Sequence, residues 1–174
     1  LKLFSTLLLL LLGLFSILQS RAQLVNDSLA FESLKGKLSL LVDRFTNLVT
    51  YEQVLKGRQE RGLNSGCGTS KSLTIQSDSC MTAKSVGAGK VIAVFEVDSI
   101  LAVFVSHGDY FFTYSNMHIA FVKKGEVITL GHSIGQVLIP SHNGFYEMEL
   151  LMTNKKAESV DPYPWFIRSK YLLP

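Results

Sequence analysis

The sequence predicts an all-β domain, mostly antiparallel, folded as a β-sandwich or open barrel behind a short N-terminal helical or irregular segment. Three observations predict it. Short β-favouring runs recur at regular spacing after residue 72, separated by glycine-bearing turns. No stretch beyond residue 60 carries an apolar stripe of helical period. The composition is globular, with 47% hydrophobic and only 18% charged residues.

The first 23 residues account for much of the apolar excess. Lys2 gives a positive start, Leu7 to Leu12 are six consecutive leucines, and Ser20-Arg21-Ala22 places small residues where a signal peptidase reads. The apolar stretch, about 16 residues at roughly 1.5 Å each, is short for a bilayer core of about 30 Å. Residues 1–22 therefore read as a secretory signal peptide, 23–30 as a short linker and 31–174 as the domain. An uncleaved N-terminal anchor is the alternative. Without Lys2 and Arg21 the net charge of +3 falls to +1. So weak a bias gives no electrostatic footprint for nucleic acid. The mean hydropathy of +0.26 excludes a disordered chain. After signal cleavage no stable membrane span is expected, and the protein is placed outside the cytoplasm, secreted or periplasmic.

The elements follow in order. Residues 24–35 read as a short helix, with Asn26 or Ser28 as cap and Leu29, Phe31 and Leu34 as its apolar stripe; Lys35-Gly36-Lys37 ends it. Residues 38–42 and 48–54 read as short strands or irregular segments, and 56–70 as a long, polar, glycine-rich surface loop. Strands are expected at 73–75, 90–97, 101–106, 110–114, 119–122, 134–139 and 145–152. Cys67 and Cys80 form a candidate disulfide in an oxidising compartment, two small buried thiols being the alternative.

Familiar catalytic signatures are missing. There is no phosphate-binding loop, no dinucleotide fingerprint and no Gly-x-Ser-x-Gly elbow. His107, His118, His132 and His142 are nowhere closer than ten residues, so no one element offers a histidine pair. His107 ends a strand and reads as structural, and the other three sit beside turns and read as solvated. Lys123-Lys124 reads as a solvated hairpin tip. Phe104, Phe111, Phe112 and Tyr114 read as core and sheet-face aromatics. Glu147 and Glu149 share one strand face, a pairing that acid–base chemistry can use, but no catalytic partner is apparent and a groove-lining role is favoured.

Several segments together carry a resemblance. His107-Gly108-Asp109-Tyr110, Tyr114-Ser115-Asn116, Val122-Lys123-Lys124-Gly125-Glu126-Val127 and Gly131-His132-Ser133-Ile134-Gly135-Gln136-Val137 follow one another in order. Gly89-Lys90-Val91 and Leu34-Lys35-Gly36-Lys37-Leu38 precede them, and Asp161-Pro162-Tyr163-Pro164-Trp165 closes the run. The series resembles the lysostaphin/LytM-type murein endopeptidases over about residues 31–166, which implies a β fold of the duplicated hybrid motif type. Part of it also resembles lipoyl-type motifs, but no lysine sits at a lipoyl-carrying tip.

The resemblance implies a zinc ion held by a His-x3-Asp pair and the second His of a His-x-His pair, with a further His near a Tyr-x-His segment. Aligned here, Ser70 and Thr74 stand at the first pair and Asn116 at the Tyr-x-His histidine. The His-x-His strand falls on residues 145–149, where one register gives Phe145 and Glu147, with Glu149 on the same face, and the other gives Tyr146 and Met148. Hydroxyl and amide groups are poor zinc ligands beside imidazole and carboxylate, and without the metal there is no activated water. The expectation is a pseudo-peptidase without catalytic residues, metal or cofactor, similar to EnvC-type murein hydrolase activators. It would bind peptidoglycan or a murein hydrolase through a groove lined by Ser70, Thr74, Tyr114, Asn116, Phe145, Glu147 and Glu149, in the bacterial cell envelope. The alternatives are an active zinc murein endopeptidase with rearranged ligands and a plain structural or interaction module.

Overall fold

The computed structural model describes residues 31–40, 42–62 and 70–167. The signal segment, the linker, Cys67 and residues 168–174 lie outside them, so the signal, linker and disulfide expectations fall outside the described residues.

Among the described residues eleven strands form: β1 (Asn47–Thr50), β2 (Ser72–Ser77), β3 (Met81–Lys84), β4 (Gly89–Val97), β5 (Ile100–His107), β6 (Tyr110–Met117), β7 (Ile119–Ala120), β8 (Val127–Ile128), β9 (Ser133–Val137), β10 (Tyr146–Asn154) and β11 (Ser159–Val160). They make two unequal sheets. The larger runs β1-β2-β10-β6-β5-β4-β8 with β11 added to β10, and the smaller runs β3-β9-β7. Neighbours within both sheets pair antiparallel. The large sheet stays open and does not close into a barrel, in keeping with the predicted all-β, mostly antiparallel class.

Strand periodicity explains why. In β10 the buried residues are Met148, Leu150 and Met152, while Glu147 and Glu149 alternate to the opposite face. Leu73 and Ile75 of β2, Phe112 and Tyr114 of β6, and Val103 and Val105 of β5 turn the same way. They meet Met81 and Ala83 of β3 and Ile134 and Val137 of β9 in one core. Gly135 permits a close approach there, since a Cβ would overlap the Ile119 carbonyl oxygen and the Met117 sulfur.

Two segments contribute to a helix that the sequence reading did not include. Residues 48–54 do not continue as a strand, because β1 ends at Thr50 and passes into helix α1 (Tyr51–Glu60). Residues 56–60, expected in a loop, belong to that helix. A capping box starts it: the Thr50 hydroxyl accepts from the Gln53 N–H (3.3 Å) and the Gln53 side-chain Oε1 accepts from the Thr50 N–H (2.8 Å). Glu52 in its first turn and Arg58 in its last suit the helix dipole. No residue of α1 is buried, so no apolar stripe advertised it.

The two ends of the described domain are clasped together. Leu38 bridges Phe166 in parallel: its N–H donates to the Trp165 carbonyl (3.0 Å) and its own carbonyl accepts from Ile167 (2.9 Å). Phe31 stacks on Trp165 and on His107, with centroids 5.6 and 5.0 Å apart. Trp165 sits in a short 3-10 turn, Tyr163–Trp165, and Lys35 lies over its ring. No helix among the described residues is long and apolar enough to cross a membrane.

Candidate functional site

The site begins at a fault in the β5–β6 ladder. Leu101 faces Met117 but Val103 faces Tyr114, so Ala102 stands opposite both Ser115 and Asn116. The extra residue is a β-bulge, and Asn116 takes the left-handed conformation it needs, with φ of 65°. Asparagine is among the few side-chain-bearing residues that visit this region readily. A bulge re-aims its side chain, and Asn116 lines a groove of about 410 Å³. His118, Ser141, His142 and Glu147 line it with Asn116, and Ile100, Ile139 and Pro140 supply apolar wall.

Glu147 is the best-anchored polar group of this groove. Its Oε1 accepts from the Gln76 amide (2.6 Å) and from the Asn143 amide (2.7 Å). Gln76 is in turn oriented by the Asn47 amide, which donates to its carbonyl oxygen (2.9 Å), and Asn143 accepts from the Ser141 hydroxyl (2.6 Å). Partial burial pushes the Glu147 carboxyl up, but the hydrogen bonds from Asn143, Gln76 and Ser141 outweigh it and hold the group below its ordinary value. The carboxylate is therefore ionised at neutral pH. His118 is oriented too: its Nδ1 accepts from the Leu138 N–H at 3.3 Å, which places the proton of the neutral ring on Nε2.

The predicted residues separate along the sheet. Thr74 lies opposite Glu149, and Glu149 lies opposite Ser115 on its other side, so these face outward together. Of the two registers read for residues 145–149, the outward face of β10 carries Glu147 and Glu149, while Met148 is core. Asn116 and Glu147 meet in the groove. Ser70 does not join them: the ladder puts Gln76 opposite Glu147 and Ser72 opposite Leu151, so Ser70 lies six residues beyond Gln76, about 20 Å away along the strand. Tyr114 is placed on the core face, 1% exposed, where its hydroxyl accepts from the Val86 N–H (3.1 Å). Phe145 sits in the turn before β10, its carbonyl accepting from Ser141 and its N–H donating to Asn143. Cys80 is exposed in the turn between β2 and β3.

Sequence reasoning missed Gln76, Asn143, Ser141 and the two histidines as site residues. Gln76 carried no usable signal, lying just past the strand expected at 73–75 and gaining its role only through the register with Glu147. His107 is as structural as expected. It is 1% exposed, and in the neutral ring its Nδ1–H donates to the Ala88 carbonyl (2.8 Å). Its Nε2 is buried without a hydrogen-bond partner among the described residues. Burial lowers its pKa to about 4, against a small opposing effect of the Ala88 hydrogen bond.

This donor set does not fit the zinc ion that the LytM resemblance implies. Ser70 is remote, Thr74 offers only a hydroxyl, and Glu147 is a single carboxylate where the family uses three ligands. Among the described residues no three His, Cys, Asp or Glu side chains are grouped to hold a metal ion.

No protein-family model and no curated protein matches the chain. Solved structures do. A chain of the SpoIIIAH–SpoIIQ complex is 14% identical with a TM-score of 0.57, the match covering 73% of this chain and 98% of that one. Csd3 of Helicobacter pylori is 17% identical with a TM-score of 0.52, over 74% of this chain and 33% of Csd3. A peptidase M23 assignment from Pseudomonas aeruginosa is 20% identical with a TM-score of 0.50, over 83% of this chain and 59% of that one. This chain thus spans a third of Csd3 and under two thirds of the Pseudomonas protein. At these identities the likeness concerns the fold, and the fold of this domain is the LytM type shared with peptidase M23.

Proposed function

We propose that this is an exported, non-catalytic LytM-like domain that binds cell-wall peptide, or a murein hydrolase acting on it, through the Asn116–Glu147 groove. The observation that carries the reading is the replacement of metal-ligand chemistry by a rigid hydrogen-bonding surface. Asn116 projects from the bulge, and Glu147 is fixed by Gln76 and Asn143. Fixed donors and acceptors beside apolar wall are what a binding groove for an extended peptide needs. The leucine-rich leader of the sequence supports export. The SpoIIIAH–SpoIIQ structure is a complex of two proteins, which supports assembly as a use of this fold.

Sedimentation of the purified protein with isolated murein tests the reading, alongside zinc analysis and an assay for cleavage of cell-wall peptide. Binding without cleavage is expected, and it should weaken in Asn116→Ala. Stoichiometric zinc together with cleavage would establish the rearranged endopeptidase instead. Failure to bind murein, with no murein hydrolase captured from the exported proteome, would leave a plain structural module.

A further inference from the structure

The chemistry of the groove narrows its ligand. Its one carboxylate is Glu147, held ionised by amides that both converge on Oε1, and no lysine or arginine lines the groove with it. The same groove carries apolar surface from Ile100, Ile139 and Pro140, which suits an aliphatic stem beside the charge. His118 adds a donor, since the Leu138 N–H occupies its Nδ1 and leaves Nε2–H as the polar tip.

We propose that the groove seats a protonated primary amine carried by a peptide, with Glu147 as counter-ion and the apolar wall against the stem that bears the amine. This rests on the groove reading above and names its ligand class. A primary ammonium is compact and offers three donors, which suits a carboxylate whose other hydrogen bonds are already fixed. The His118 Nε2–H donates to a peptide carbonyl beside the amine. The pairing discriminates by charge: an acetylated amine leaves the Glu147 carboxylate partly desolvated and without its cation.

The test uses N-acetyl-Ala-Lys-Ala-amide and its Nε-acetyl-lysine counterpart, followed by amide chemical shifts of the isotope-labelled protein. The free-amine peptide should shift the amides of Asn116, His118 and Glu147 and bind about threefold to tenfold more tightly than the acetylated one. Glu147→Gln, nearly isosteric, should erase that preference, whereas Glu158→Gln, between β10 and β11 at the far end of β10, should keep it. An unchanged thermal transition in Glu147→Gln would show that the fold is intact. Equal affinity for the two peptides, or shifts confined elsewhere, would overturn the amine seat. If murein still sediments with the protein and Asn116→Ala still weakens it, only the amine seat falls. If neither murein nor either peptide binds, the groove reading falls with it.

Discussion

His107 is kept neutral by an aromatic enclosure of Phe31 and Phe112, with Nδ1 on the Ala88 carbonyl and Nε2 walled off from water. Its folded pKa of about 4 lies below the ordinary 6.5, so the unfolded chain binds the proton more readily. The neutral ring's contribution is complete above about pH 6.5 and is lost as pH falls toward 4, by about 3 kcal/mol in all. Urea titrations at pH 7 and pH 4 should show the wild type losing more stability than His107→Gln by roughly that amount. Parallel pH profiles would contradict this. At this scale the sequence was uneven. The structural role of His107 was legible because a histidine before Gly108 ends a strand. The part played by Gln76 was not, because an amide in a strand declares neither its face nor its partner until the register with Glu147 is known.

The β5–β6 bulge shows the same contrast for an element. The strands on both sides were legible from their aliphatic and aromatic runs, but the extra residue was not, since a bulge leaves almost no mark in a hydrophobic pattern. Its backbone gives a direct test. Asn116 holds a φ of 65°, so Asn116→Gly should fold with stability near that of the wild type. Asn116→Val should lose about 1–2 kcal/mol in chemical denaturation. Equal losses in the two variants would mean that the side chain, and not the left-handed backbone, sets the requirement. Helix α1 was illegible for a different reason. It is held by its cap and buries nothing, so only the Thr50–Gln53 spacing could have revealed it. The strands β3, β8 and β11 span four, two and two residues, too short for alternation to show.

For the whole molecule, the fold class was readable and the unequal partition of the sheets was not. Short strands at regular spacing predicted the class, yet the sequence does not say which of them leave the large sheet to cover its buried face. The ends of the domain also depend on contacts distant in sequence. Trp165 is 2% exposed and packs on Phe31 and Tyr110. Trp165→Ala should therefore cost about 3–5 kcal/mol. It should also speed hydrogen exchange at the Leu38 and Ile167 amides, whose bonds flank it. Unchanged exchange at those two amides would show that the clasp stands without the indole.

That clasp has a mechanical meaning. Because Leu38 and Phe166 lie side by side in parallel, tension applied through the chain on either side of the domain pulls them in opposite directions. The load would fall first on two hydrogen bonds and a ring stack, before reaching β6 and β10 inside the large sheet. The clasp would act as a fuse. Stretched by its ends, the domain would surrender its closure while the Asn116–Glu147 groove kept its shape.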